Sequence, residues 1–322
     1  MSAKDPVTAI SEAEARGDIA ELYADIRATL GVPVVNLIWR HLASIEGALP
    51  WAWQAVRPAY QSGAVVHHAE RLKAGLVLPV MEPVPAEVLG CLGLDAGQRQ
   101  SIRQVLDSYD RSNPMNWLAL SALMLTDEGH VASAAQARGG RAANDASVTS
   151  RADLPDAKAA EPTPGASDAP ASPRATTEAL PTPLLSGAAL DFTLPALPAL
   201  DDLAPGTRAL VLRLNDLGAE RGDAILASMY RHLAHWPPML ALIWAQLSAM
   251  ARDGRLQKAR AQVADHGARE ARQLCAALPA SAAIAAHPAG RAALADFLAR
   301  VGLPRMIAIT TMLRAALREA AH

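Results

Sequence analysis

The sequence predicts an all-α protein built from two tandem helical repeats, and two observations carry this prediction. The tetrapeptide Arg-His-Leu-Ala occurs at Arg40–Ala43 and again at Arg231–Ala234, an offset of 231 − 40 = 191 residues. A tryptophan follows each arginine at the same interval, Trp53 at 53 − 40 = 13 and Trp244 at 244 − 231 = 13 residues. Matched features in one frame indicate an internal duplication, and no segment shows the sustained alternation of a strand.

Composition and charge narrow the class of protein. Of 322 residues, 51% are hydrophobic and 19% are charged, which is typical of a globular protein with a sizeable core. The formal net charge of −2 argues against a nucleic-acid partner, because no basic face is available for phosphates. Cys91 and Cys275 are isolated, so we expect neither a metal nor a redox cofactor. No apolar run has the length of a membrane span, and we expect a cytoplasmic protein with no membrane partner.

The first repeat is predicted to contain a series of helices separated by Gly and Pro. A Ser-x-x-Glu capping box at Ser11–Glu14 predicts a helix start. An almost wholly apolar central helix follows at Val34–Ile45, and Pro58 is expected to kink or divide the next helix. Asn113 is expected to cap a new helix with Pro114 at its first position. The remaining predicted segments are helices at Ile19–Leu30, Ala86–Cys91, Ala96–Tyr109 and Met115–Leu125, and an extended crossing at Pro79–Pro85.

The composition divides the chain into residues 1–130, a linker at 131–189, and residues 190–322. Most of the linker is Ala, Pro, Ser and Thr without periodicity, and no aromatic residue occurs between Trp117 and Phe192. Such a segment cannot bury enough apolar area to offset its ordering entropy, so we expect a long flexible linker. The second repeat then carries predicted helices at Thr207–Leu217, from Pro237, at Gly254–Leu278 and at Met306–Leu317. We expect the repeats to pack as a pseudo-twofold bundle, a pseudo-dimer within one chain.

Short motifs in both halves resemble the DL-2-haloacid dehalogenase family (group I haloacid dehalogenases). They are Leu22-Tyr23, Asp25-Ile26-Arg27 and Leu30-Gly31-Val32-Pro33 near the start, Tyr109 with Ser112-Asn113-Pro114 in the middle, and Ser228-Met229-Tyr230, Leu233-Ala234 and Trp236-Pro237 in the second half. The resemblance implies an all-α fold of two repeats with the active site between them. It also implies a hydrolytic reaction in which an aspartate general base activates water, and the water displaces halide from C2.

The same resemblance places a residue without acid–base chemistry at the base position. In the family the aspartate follows a serine in a Ser-Asp-aromatic run, and here the matching run is Ser228-Met229-Tyr230. A thioether cannot accept a proton from water as a carboxylate does, so Met229 is the position of the catalytic base without its function. Tyr230 is the nearest remaining polar group, and its phenol is a poor base at neutral pH.

Four more positions are candidates for the site on the strength of the resemblance. Asn113 matches a residue that helps to hold water or substrate, although capping a helix is its commoner role. Val34 and Leu37 stand where the family often has bulky aromatics. Ser62 stands where the family has a threonine if the sequences are aligned without gaps. Together with Ser228 and Tyr230, these residues form the predicted substrate-binding set.

Several alternatives remain open from the sequence. Arg40 and Arg231 could bind a carboxylate or form structural ion pairs, and their repeat-related positions favour the structural role. His232 and His235 lie three apart, a weak signal for a metal site. The protein could be a non-hydrolytic relative that binds a small organic acid, an active dehalogenase with a substitute base, or a structural or interaction module. Candidate substitute bases are Glu70, Asp191, Asp201 and Asp202, and a homodimer is compatible with each alternative.

Overall fold

A computed structural model describes residues 7–147, 189–220, 225–279 and 287–317, with 127–147 described as backbone only. Every regular element in these ranges is helical, which confirms the predicted all-α class. The α-helices in chain order are α1 Gly17–Leu30, α2 Leu37–Leu42, α3 Ala48–Gln61, α4 Ala64–Ala74, α5 Ala86–Cys91, α6 Ala96–Ser147, α7 Pro205–Asp216, α8 Ser228–Leu233, α9 Pro237–Arg252, α10 Arg255–Leu274, α11 Pro288–Arg300 and α12 Leu303–Ala316. Within the described ranges, no helix is long and apolar enough to cross a membrane.

The chain divides into two compact units. One comprises residues 1–127 and 185–322, and therefore holds both predicted repeats around a single hydrophobic core. The other comprises residues 128–184. Its described part, 128–147, continues α6, so the first part of the predicted linker is helical. The remainder of the linker, 148–188, lies outside the described residues, and its predicted flexibility stays a prediction.

The helix boundaries agree with the offset seen in the sequence. The first residues of α2 and α8 are 228 − 37 = 191 positions apart, and their last residues are 233 − 42 = 191 positions apart. Gly63 and Gly254, again 191 apart, precede α4 and α10 with the same left-handed conformation, at φ 80° and 82°. A residue with a Cβ adopts this conformation only at a cost, so glycine suits both turns. The duplication itself stays a prediction until the two halves are superposed.

The central helix of the first half is shorter than the apolar pattern predicts. It spans Leu37–Leu42 rather than 34–45. Val35 lies outside the helix, and its backbone N–H donates to Oε1 of Glu12 at 2.9 Å instead of to a helix carbonyl. The backbone at Ala15–Arg16 is likewise non-helical, so α1 begins at Gly17 rather than at the capping box. The side-chain contacts of that box do form, between Ser11 and Glu14.

The predicted helix start at Asn113-Pro114 was wrong, and Pro58 does not divide its helix, while a kink at Pro58 stays a prediction. Helix α3 continues through Pro58, with Trp53, Val56 and Tyr60 buried along one face. Helix α6 continues through Pro114, so Asn113 lies inside a helix and does not cap one. Proline removes the N–H that would bind the carbonyl four residues earlier.

Pro114 has no N–H to donate to the backbone carbonyl of Asp110, four residues earlier. The side chain of Lys73 supplies the hydrogen bond instead. Nζ of Lys73 lies 3.3 Å from the backbone oxygen of Asp110 and 2.7 Å from its carboxylate oxygen Oδ2. The carboxylate is almost fully buried, and it also accepts from Thr311 and Arg314 of α12. Burial raises the pKa of Asp110, but Lys73 and Arg314 outweigh burial and leave the pKa lowered. Asp110 therefore joins α4, α6 and α12.

Trp117 on α6 packs against Gly267 on α10 at very close range. A Cβ added to Gly267 would lie 2.0 Å from Cζ3 of the Trp117 indole. Glycine in a helix interior is less favourable than alanine by about 1 kcal/mol. The close packing of the indole accounts for its presence in α10.

We predict that Lys73→Met destabilises the protein by about 1–3 kcal/mol, because a buried carbonyl loses its donor and Asp110 loses one of two cations. Urea unfolding at pH 7 measures the change. The double variant Lys73→Met/Pro114→Ala is the matched control, since alanine at position 114 restores an N–H for the Asp110 carbonyl and should recover part of the loss. An equal loss in both backgrounds would contradict the role assigned to the carbonyl contact.

Candidate functional site

A small cavity lies where α2, α6, α8, α11 and α12 meet. Its volume is about 50 Å³. A buried water needs roughly 10–15 Å³, so the space suits a few waters or a ligand of a few heavy atoms. The lining residues are Asn36, Leu37, Ile38, Tyr109, Asn113, Asn116, Ala227, Ser228, Met229, Phe297, Val301, Leu303 and Met306.

The first half supplies three buried asparagines to one side of this cavity. Nδ2 of Asn36 donates to Oγ of Ser112 at 2.9 Å and to Oδ1 of Asn113 at 3.2 Å. Oδ1 of Asn116 accepts from Nε1 of Trp39 at 3.0 Å and from the hydroxyl of Tyr60 at 2.9 Å. The network fixes the amides, and it leaves Oδ1 of Asn36 and Nδ2 of Asn116 buried without a partner among the described residues.

The orientation of the Asn116 amide follows from the chemistry of its neighbour. An indole N–H can only donate, so the atom that faces Trp39 must be the amide oxygen. The NH₂ group is then the one without a partner, and Asn116 lines the cavity. A buried unpaired donor costs about 1–3 kcal/mol, which a bound acceptor would offset.

The second half makes the opposite side apolar. Met229 is almost fully buried, and its sulfur accepts from Oγ1 of Thr310 at 3.4 Å. Leu303 and Met306 of α12 and Phe297 of α11 complete this side. None of the described residues that line the cavity carries a charged side chain. The cavity is therefore a mixed amide and hydrocarbon site without a general base of the carboxylate type.

The asymmetry arises where the two predicted repeats differ in sequence. At the offset of 191, Asn36 corresponds to Ala227 and Ile38 to Met229. At the offset of 190 that relates Pro114 to Pro304, Asn113 corresponds to Leu303 and Asn116 to Met306. The polar groups are thus concentrated in one copy, as a site for an asymmetric ligand requires.

Four of the predicted site residues lie together in this cavity, namely Leu37, Asn113, Ser228 and Met229. The other three do not line it. Val34 lines a larger cavity beside Arg40, and Ser62 follows α3 with its hydroxyl on the carbonyl of Ala59.

Tyr230 is buried away from the cavity, and its hydroxyl lacks a hydrogen-bond partner in the described part of the chain. Burial raises its pKa to about 12, although nearby Arg305 opposes this. The phenol is therefore no base at neutral pH.

Sequence reasoning missed Asn36, Asn116 and Tyr109 as site residues. Asn116 follows Asn113 by three positions, and residues three apart share one face of a helix. That signal was hidden because Asn113 was assigned to a helix cap. Asn36 gave no signal of its own, because the sequence places it inside the predicted helix at 34–45, whereas in the structure it precedes α2.

The candidate substitute bases lie elsewhere. Glu70 lines a separate charged cavity of about 290 Å³, together with Lys73, Asp107 and Asp110. Asp201 pairs with Arg208, and both Asp191 and Asp202 are exposed. The structure does not bring any of these four carboxylates to the cavity that holds Met229.

The repeat-related arginines line a third cavity, of about 470 Å³, together with His232 and Glu12. Arg40 donates to the carbonyl of Val35 at 3.1 Å and to Oγ of Ser228 at 3.3 Å. Arg231 donates twice to the carbonyl of Pro198, at 3.0 and 2.7 Å. The expectation of a structural ion pair is wrong for Arg40, since no carboxylate among the described residues pairs with it.

His232 connects the two cavities through Tyr109. Its Nδ1 lies 2.8 Å from the Tyr109 hydroxyl, and the carbonyl of Pro195 faces the ring. A carbonyl only accepts, so we assign the proton to Nε2 and the Tyr109 hydroxyl as donor to Nδ1. Burial lowers the pKa of His232 to about 4, assisted by His235 and both arginines. Searched over the described residues, the chain shows no cluster of three metal-ligating side chains.

The chain is similar to dehalogenases in sequence. It is 33% identical over 116 residues to a configuration-inverting 2-haloacid dehalogenase of Alcaligenes xylosoxydans xylosoxydans, covering 35% of this chain and 39% of that protein. It is 30% identical over 127 residues to an (R)-2-haloacid dehalogenase of Pseudomonas putida, covering 38% and 40%. The match thus spans about two-fifths of these relatives. No family model matches the chain.

Solved structures extend the likeness over nearly the whole chain. A D-2-haloacid dehalogenase mutant has a TM-score of 0.64 at 14% identity, covering 98% of this chain and 97% of that one. A mutant in complex with D-2-CPA has a TM-score of 0.59 at 15% identity, covering 98% and 94%. The chain has the D-2-haloacid dehalogenase fold. The all-α fold expected from the motifs is thereby confirmed, while the two repeats and the assignment of Met229 to the base position stay predictions.

The lowered pKa of His232 predicts an acid-sensitive stability. The unfolded chain binds a proton near pH 6.5, whereas the folded chain binds it only near pH 4, so stability falls as pH drops through this window. We expect wild type to lose about 2 kcal/mol of this contribution between pH 7.5 and 5. His232→Gln should lose correspondingly less, as measured by urea unfolding at both pH values.

The repeat-related variant His41→Gln is the control, because it removes a histidine from the equivalent helix position and leaves His232 in place. It should retain the acid dependence of wild type. Identical acid dependence in wild type and His232→Gln would show that His232 is not buried in its neutral form.

Proposed function

We propose that this protein binds a small organic acid, such as a 2-halo acid, in the cavity between its two halves and does not hydrolyse the carbon–halogen bond. One observation carries the second part of the proposal. Met229 occupies the position that the resemblance assigns to the general base, and it lines a cavity without a charged group among the described residues. The proposal rests on the dehalogenase fold and on partial sequence similarity to dehalogenases.

The reaction sets a requirement that the cavity residues do not meet. Water attacks C2 only if a group with a suitable pKa removes its proton, and general-base catalysis of this kind contributes about 10²–10⁴-fold in rate. The lining offers amides, hydroxyls and thioethers. The Tyr109 phenol is unsuitable because burial raises its pKa, although Arg40 and Arg231 oppose this.

Ligand binding, unlike catalysis, does not require a general base in the cavity. The unpaired amide groups support a binding role. Nδ2 of Asn116 offers a donor to a carboxylate oxygen. Met229 and Phe297 offer apolar surface to the alkyl or halogen end. A ligand with an acceptor at one end and an apolar group at the other complements both sides. The amide donor carries no full charge, so we expect affinity in the millimolar rather than the micromolar range.

The alternative of an active dehalogenase requires a carboxylate to reach the cavity. Glu70 is separated from it by α6, because Glu70 shares its own cavity with Pro114 and Met115 whereas Asn113 and Asn116 face the other. A purely structural role would not require unpaired buried amides at a cavity. The contacts favour a ligand-binding role over both alternatives.

We predict negligible halide release by wild type from either enantiomer of 2-chloropropionate at pH 7.5. Met229→Asp should gain a trace of activity at most, since the carboxylate would be added without the remaining lining of the family. Ion chromatography of released chloride measures both. Met229→Leu, similar in size and apolar, is the matched control and should equal wild type. Substantial turnover by wild type would overturn the proposal, and its loss in Glu70→Gln would then identify the base.

Ligand binding is expected to depend on the Asn116 amide. Asn116→Asp keeps an acceptor for Trp39 and Tyr60 but replaces the free donor with an oxygen that repels a carboxylate. We expect 2-chloropropionate binding, measured by titration calorimetry, to weaken at least tenfold, which is about 1.4 kcal/mol. Asn215→Asp alters a buried asparagine outside the cavity and serves as the control. Equal affinity of folded Asn116→Asp and wild type would place the ligand elsewhere.

A further inference from the structure

The 470 Å³ cavity is separate from the one that holds Met229, and the two have no lining residue in common. It is bounded by the segment before α1, the segment before α7, and the central helices α2 and α8. The two central helices each contribute one guanidinium, from Arg40 and Arg231. Both arginines are more than nine-tenths buried, at 8% and 9% exposure. Buried arginines are usually matched by an anion, since isolated buried charge is costly.

The positive charge of Arg40 is not balanced at this cavity. Glu12 is the carboxylate among the lining residues, and it pairs with Arg27 while accepting the N–H of Val35. Its charge is thus already matched by another arginine. Arg40 bonds to a carbonyl and a hydroxyl, which are neutral acceptors. Arg40 therefore brings to the cavity a positive charge that no carboxylate among the described residues matches.

The hydrogen bonds of Arg40 leave part of its guanidinium available. Nε and Nη2 are engaged, while within the described ranges no group accepts a hydrogen bond from Nη1. Arg231 is held in place from the other side of the cavity by the Pro198 carbonyl. His232 adds a neutral imidazole to the same wall. This arrangement offers fixed donors and positive charge, and guanidinium groups bind oxyanions with good geometry.

We propose that the cavity between Arg40 and Arg231 is a binding site for a small oxyanion, either a carboxylate or a phosphate. Arg40 donates through Nη1, and Arg231 lines the same cavity from the facing helix. The site uses a charged pair that both predicted repeats supply, Arg40 and Arg231, whereas the Met229 cavity uses residues in which the repeats differ. Arg40 also bonds to Ser228, which lines the Met229 cavity, so a variant that leaves Arg40 in place is needed to distinguish the two sites.

Titration calorimetry with inorganic phosphate and, separately, with acetate tests this site in the full chain at constant ionic strength set by chloride. We expect one anion per chain, and at least tenfold weaker binding in Arg40→Gln. Arg255→Gln removes an exposed arginine that pairs with Asp253, and it should bind as wild type does. The anion that binds with the higher affinity identifies the preferred oxyanion class.

A second pair of variants keeps Arg40 in place. Ala199 is exposed and lines the cavity, so Ala199→Glu would add a competing carboxylate without disturbing the core. It should abolish anion binding, whereas the isosteric Ala199→Gln should retain it. If Arg40→Gln does not fold, the Ala199→Glu and Ala199→Gln variants still test whether the anion binds in this cavity. No measurable binding of either anion to wild type, or equal binding by Ala199→Glu and Ala199→Gln, would overturn the proposal.

Discussion

The buried carboxylate of Asp110 is the constraint on which the arrangement of helices depends. It is 2% exposed and receives hydrogen bonds from Lys73 on α4 and from Thr311 and Arg314 on α12. Removing a carboxylate from water costs several kcal/mol, and only this set of donors makes the burial tolerable. Both α6 and α12 line the Met229 cavity. The contacts of Asp110 with α12 therefore set the distance between the asparagines of α6 on one side of the cavity and the apolar residues of α12 on the other.

The same carboxylate explains how α6 crosses a proline. A proline inside a helix normally leaves a carbonyl without its donor, and here Lys73 serves both that carbonyl and the adjacent carboxylate. The helix remains continuous, and Asn113 points its side chain into an amide network instead of capping a helix. One lysine on a neighbouring helix thus changes what Asn113 does.

Much of the fold was predictable from the sequence because helix-forming patterns and their spacing are local. The ends of α5 and the start of α6 at Ala96 agree with the prediction, and the offset of 191 reappears in the bounds of α2 and α8. The error at Pro114 arises because propensity is local, whereas Lys73, which compensates for the proline, lies on another helix. For the candidate site, Leu37, Asn113, Ser228 and Met229 followed from motifs. Asn36 and Asn116 did not, because their role depends on partners about 77 positions away, Asn113 and Trp39.

The contact between Trp117 and Gly267 has a consequence for how this chain can change over time. A methyl group on Gly267 would overlap the indole, and a smaller residue in place of the half-buried Trp117 would leave a void against α10. Neither replacement is tolerated singly, yet a smaller ring-free side chain at 117 with alanine at 267 restores the packing and improves helix propensity in α10. Among homologous sequences the two positions should therefore covary, with glycine at one wherever tryptophan stands at the other.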